Sequence, residues 1–225
     1  MIVAAARPRS HPASHEALES LCRDYWYPVF AFIQRSARQR DDALDLTQGF
    51  FALVLEKGIL NAADRERGRF RSFLLAAVKN FLSDERKRET TLKRGGAVSF
   101  VTLDAAAEEE RGRALADEGE SPERAFERQW ALTVFERARA RLEAEVSGSG
   151  KSEQFRLLEG HLSGDRETRP YAEIAEELGA SEGSIKMAVR RLRKRFGQVL
   201  RDEIAQTLSD KTDLDAEVRH LLNAL

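Results

Sequence analysis

An all-α chain is predicted, built as two small helical domains joined by an acidic flexible linker. Three observations lead there. Apolar residues recur at spacings of three and four in segment after segment, as on helices with one buried face. No stretch alternates convincingly at period two, which a half-buried strand would require. Between 93 and 121 all periodicity is lost while glycine, alanine and acids accumulate, as expected of a solvated connector.

The elements follow in order. After a flexible N-terminus, 1–12, the residues Leu18, Leu21, Cys22, Tyr25, Trp26, Val29, Phe30 and Ile33 mark a helix over about 16–38, which Pro28 is expected to kink or interrupt. Asp41 or Asp42 is placed to cap a second helix carrying Leu46, Phe50, Phe51, Val54 and Leu55, with Gly58 as its stop. In the third, Phe70, Phe73, Leu74, Ala77, Val78, Phe81 and Leu82 keep the rhythm before the chain turns charged at 84–88. Three such helices suffice for a bundle over 13–92. Helical patterning resumes at Pro122, a first-turn proline behind a Ser121 cap, and runs through Phe126, Trp130, Val134, Phe135 and Leu142 to a Ser-Gly break at 147–152. A helix near 153–162, a turn at 163–170, a short helix at 171–178 and a long one from Glu182 to about Thr207 complete a second domain, 122–208. The tail, 209–225, puts Leu214, Val218, Leu221 and Leu222 on one face and is expected to pack on that second domain, with binding of a partner as the alternative.

The formal net charge of −1 conceals a segregation. Arginine and lysine crowd at 63–71, 86–94 and 186–195, acids at 108–110 and 117–123, a pattern compatible with nucleic acid at two separate places. The single cysteine, Cys22, lies in an apolar stripe and excludes an intramolecular disulfide or a Cys-rich metal site. His11, His15, His161 and His220 are scattered, and the first pair lacks the glutamate of HExxH. The run Ser147–Ser152 is no phosphate loop, because Glu145 stands where the first glycine is needed and a helix replaces the strand. No nucleophile and base stand out, so neither enzymatic activity nor a cofactor or metal is expected. Met1 to Ala6 is too short for a signal core and no run of ~18 apolar residues occurs, so a cytoplasmic protein without membrane contact is expected.

The densest signal lies at 170–200. Ile174, Ala175 and Leu178 form the inner side of a short helix, Gly179 the bend, Ser181 the next cap, and Ile185, Val189, Leu192, Phe196 and Val199 the inner stripe of a long helix. This is a helix-turn-helix pattern, whose second helix enters the major groove in proteins that use it. The outward residues are Ser184, Lys186, Met187, Arg190, Arg191, Arg193, Lys194 and Arg195. Early positions reach base edges and later cations neutralise phosphates. A second basic patch joins Lys79, Asn80, Arg86, Lys87 and Arg88 to Arg65, Arg67, Arg69 and Arg71.

The order of these pieces resembles the extracytoplasmic-function branch of the sigma-seventy family of RNA polymerase sigma factors over nearly the whole chain. Asp42-Ala43-Leu44-Asp45-Leu46-Thr47-Gln48-Gly49-Phe50-Phe51 resembles the polymerase-binding helix of sigma domain two. Phe70–Leu74 with Val78-Lys79-Asn80-Phe81 and Asp84 is similar to the segment that melts and reads the minus-ten element, and Ser121–Arg128 to the entry into sigma domain four. Sigma domain three is missing, as in that branch. The resemblance implies a factor that directs core polymerase to promoters. Asp42, Asp45, Gln48 and Phe51 would dock on the polymerase clamp, Lys79, Asn80 and Arg86 would lie near the minus-ten strand, and Ser184, Lys186, Met187, Arg190, Arg191 and Lys194 at the minus-thirty-five duplex. Core RNA polymerase and promoter DNA are the implied partners, with an anti-sigma factor or a Ser/Thr kinase as further candidates.

The docking motif departs from the family in carrying Leu44 and Gly49 where acids are common and Thr47 where an apolar residue is usual. A phosphate on Thr47 would add back about −1.5 to −2 charges, which makes this residue a candidate switch; a partly buried helix threonine is the plainer reading of the same position. Two other readings fit the same residues: a stand-alone helix-turn-helix regulator, and a helical regulatory protein acting through protein contacts alone.

Overall fold

The computed structural model describes residues 12–37, 40–57, 69–92, 119–163, 168–208 and 213–225. Among them all regular structure is helical: α1 (Pro12–Ser36), α2 (Arg40–Lys57), α3 (Phe70–Leu92), α4 (Pro122–Ser147), α5 (Ser152–Leu158), α6 (Gly160–Ser163), α7 (Tyr171–Glu177), α8 (Glu182–Ala205) and α9 (Leu214–Ala224). The expected linker lies outside the described residues up to 118, as do Gly58, Arg65 and Arg67. None of the described helices is long and apolar enough to cross a membrane.

Two compact units form, residues 1–133 with 206–225, and residues 134–205. This division differs from the expected boundary at 122. It falls inside α4, and α9 belongs to the first unit rather than to the helix-turn-helix.

In the first unit α1, α2 and α3 pack as a three-helix bundle around Leu21, Val29, Ile33, Phe50, Leu74 and Val78, each nearly or wholly buried. Aromatic pairs run through it: Tyr25 meets Phe70 edge-on at 5.1 Å, Trp26 stacks on Phe51 at 5.3 Å, and Phe50 meets Phe81 at 5.7 Å. Each such pair contributes about 0.5–1.5 kcal/mol beyond the area it buries. The helix α1 continues through Pro28. A proline there removes one intrahelical bond and crowds the carbonyl four residues back, at a cost of about 3 kcal/mol, which the buried Tyr25, Val29 and Phe32 on both sides offset. The first part of α4 and α9 add Phe126, Trp130, Ala131 and Leu221 to the buried set.

In the second unit Leu157, Leu158, Ile174, Ala175, Ile185 and Val189 make an apolar cluster, with Tyr171, Leu178, Ala188 and Leu192 against it. Phe135 and Phe196 meet edge-on at 4.8 Å. Glu203 is buried as well, and is neutralised by Arg137 and Arg141, each at 3.1 Å. Fully burying one such aliphatic side chain contributes roughly 1.5–3 kcal/mol.

Candidate nucleic-acid interfaces

Local chemistry shapes the bend before α8. Gly179 has φ +59°, a left-handed conformation that costs a residue with a Cβ about 1 kcal/mol or more. Ser181 then caps α8, its Oγ accepting from the Ser184 N–H at 3.2 Å while the Ser184 hydroxyl donates to the Ser181 carbonyl at 2.7 Å. One side of α8 is fixed in the core by Ile185, Val189 and Phe196. At 100° per residue, Met187, Arg190, Arg191 and Lys194 must then stand on the opposite side, at positions i, i+3, i+4 and i+7. All four are exposed, as are Ser184 and Lys186.

The outward cations differ in availability. Among the described residues no acid pairs with Arg190, Arg191 or Lys194. Lys186 is held by Glu182 at 2.6 Å, and that hydrogen bond raises its pKa. Arg193 and Arg195, expected to face DNA, are committed to their own unit. Arg193 Nε donates to the His161 carbonyl at 2.7 Å, and Arg195 grips Glu145 through Nε and Nη2 at 2.8 and 2.9 Å. The Arg195 hydrogen bond lowers the Glu145 pKa. His161 is itself buried against Tyr171, with ring centroids 4.7 Å apart, and burial pushes its pKa down.

On α3 the second patch is divided. Lys79, Asn80 and Arg86 are exposed, as expected. Arg86 donates to the Ser36 carbonyl at 3.2 Å, while Lys79 lies 5.8 Å from the Phe32 ring and pairs with Glu123 at 2.8 Å, which lowers the Glu123 pKa. Arg71 overturns its expected role. It is 5% exposed, its Nε 2.5 Å from Glu217 Oε1, its Nη1 on Glu127 and its guanidinium 5.1 Å from the Trp130 ring centroid. Glu217 has no exposed surface and also takes Arg69 at 3.0 Å, while Glu127 takes His220 at 2.8 Å. This buried cluster was missed from sequence, although a signal existed: Glu217 sits within the stripe Leu214, Val218, Leu221, and an acid on a buried face requires a cation.

The α2 residues separate in the same manner. Asp42 and Asp45 are exposed and Gln48 is half-buried, but Phe51 is 5% exposed beneath Trp26 and is a core residue, not a surface contact. Thr47 has no exposed surface, and its hydroxyl donates to the Ala43 carbonyl at 2.7 Å. A kinase reaches that oxygen only after the turn of α2 opens. A Cβ on Gly49 would lie 3.5 Å from the Phe81 ring, so an acid at this position would start against the core.

Among the described residues no group of three or more His, Cys, Asp and Glu is arranged to hold a metal ion. Family models, curated proteins and solved structures give no match to this chain.

Proposed function

We propose that this chain is a sigma factor of the extracytoplasmic-function type, a non-enzymatic cytoplasmic subunit that brings core RNA polymerase to promoter DNA. The observation that carries the reading is the exposed stripe Met187, Arg190, Arg191 and Lys194, unpaired among the described residues and set opposite an apolar core behind a glycine bend. Such a helix fits the major groove, with its cations on phosphates and its early side chains on base edges. Lys79, Asn80 and Arg86 on α3 supply the second contact in this reading, and Asp42, Asp45 and Gln48 on α2 the polymerase contact, with the acidic linker joining the bundle to α4. Two weak DNA contacts become one strong site when polymerase fixes their separation. Control through Thr47 belongs to the same reading, and requires α2 to open at that turn before phosphate is transferred.

Run-off transcription with core polymerase tests it. Promoter-specific transcripts are expected on adding the chain, and are lost with Arg190→Ala/Arg191→Ala or with Asp42→Asn/Asp45→Asn. The α8 stripe equally favours a stand-alone regulator. That second reading is selected if the carboxamide pair retains full DNA-directed activity and the chain binds a symmetric duplex tightly without polymerase.

A further inference from the structure

Three cations at the start of α3 and along it are already occupied by carboxylates. Arg69 meets Glu217 and Lys79 meets Glu123, while Arg71 is shared between Glu217 and Glu127. All three acids come from 119–133 and 213–225, remote in sequence from the bundle yet part of the same compact unit. The α8 stripe has no such acids facing Arg190, Arg191 and Lys194 among the described residues.

We infer that Glu123, Glu127 and Glu217 form an intramolecular clip, an internal competitor that nucleic-acid phosphates must displace from the cations of α3, with α9 leaving its seat as they do so. The inference rests on reading α3 as a DNA-facing helix. A carboxylate and a phosphate present the same paired oxygens to a guanidinium, so one substitutes for the other at an arginine. The clip has a weak outer part and a strong inner one. Lys79 and Glu123 are each about half exposed, at 47% and 48%, so water screens their pair and exchange is easy. Arg71 and Glu217 are shielded at 6% and 1% side-chain exposure, and freeing that arginine requires α9 to lift. Leu221 of α9 is fully buried, and the Phe70 N–H reaches the Thr207 carbonyl at 3.4 Å, which ties the chain just before α9 to the first turn of α3.

The test uses the full chain with Arg190→Ala and Arg191→Ala to silence α8, and a short single-stranded DNA of mixed sequence as the probe. Glu123→Gln is expected to tighten binding about two- to fivefold and to steepen the log-affinity against log-salt slope by about 0.7, one further phosphate contact on a single strand. Glu153→Gln on α5, which removes an exposed acid and the same charge, is the control and should do neither. Independently, amide exchange across Leu214–Ala224 should rise in the chain with Glu123 intact when the DNA is saturating. Glu123→Gln binding no tighter than Glu153→Gln, or α9 exchange unchanged at saturation, overturns the clip. Polymerase is absent throughout, so the outcome is separate from that of run-off transcription: a chain can release α9 on DNA and still fail to initiate, or initiate with α9 in place.

Discussion

Arg71 and Arg191 are both arginines on helices whose other side is apolar, yet the first is 5% exposed between two glutamates while the second stands exposed with no acid against it. The difference lies in what covers each helix. The start of α3 is met by α4 and α9, which bring Glu127 and Glu217; among the described residues no acid meets Arg190, Arg191 or Lys194 on the outward side of α8. The first unit therefore folds its cations at the start of α3 into a buried polar cluster, whereas the second unit, which commits Arg137, Arg141, Arg193 and Arg195 to its own fold, leaves Arg190, Arg191 and Lys194 outside it. Charge density along a chain does not by itself identify a binding surface, because a buried partner can consume it.

The buried polar cluster of the first unit should be the most sensitive part of the molecule. Arg71→Ala takes the buried shared cation from Glu217 and Glu127, leaving them only the more exposed Arg69 and His220, and should destabilise the first unit by about 3 kcal/mol, measured by urea denaturation. Arg71→Met with Glu217→Leu should cost less, because the two most buried charges go together, Glu127 keeps His220 and the released Arg69 is part-exposed. If the single and double variants are equally unstable, the cluster matters through shape rather than charge. The matching break in the second unit is Ile174→Ala, a residue with no exposed surface, expected to cost about 2–4 kcal/mol and to lower thermal stability without altering any surface cation.

Smaller effects sharpen the contrast. Gly179→Ala should cost about 1 kcal/mol, because φ +59° strains any side chain, although no atom lies within 4 Å of the added Cβ. Acid should weaken the second unit through His161, whose folded pKa is held down by burial and then by the Arg193 charge. The unfolded chain then takes up the proton first, so this stability is present above about pH 6.5 and declines as pH falls through that value. His161→Gln should flatten the dependence in a thermal-melt series. Least affected in stability should be Arg190→Ala/Arg191→Ala, within about 0.5 kcal/mol of the parent because neither side chain is buried, while DNA affinity falls. A large loss of stability there would mean that the stripe holds the fold together and is not a free surface.

Much of the site was legible in the chain itself. The outward stripe of α8, the Gly179 bend and the Ser181 and Ser121 caps follow from local periodicity and capping chemistry, and Lys79, Asn80 and Arg86 are exposed because Val78, Phe81 and Leu82 take the inner side. The inward place of Phe51 and Thr47 was half legible, since Phe51 belongs to the apolar set of α2 and Thr47 stands where an apolar residue is usual; only the position of Trp26 and the packing around them separates a core residue from a docking one.

Helicity, the start and stop of most helices, and the side of α8 that carries its cations can all be read along the chain, because each depends on residues a few positions apart. Tertiary structure alone decided that α9 joins the first unit, that the compact division falls inside α4, and that Arg71 turns inward to Glu217, a partner 146 residues away. No local rule reaches that far. The desolvation of a buried charge is offset only by whichever opposite charge the folded chain brings within hydrogen-bond distance.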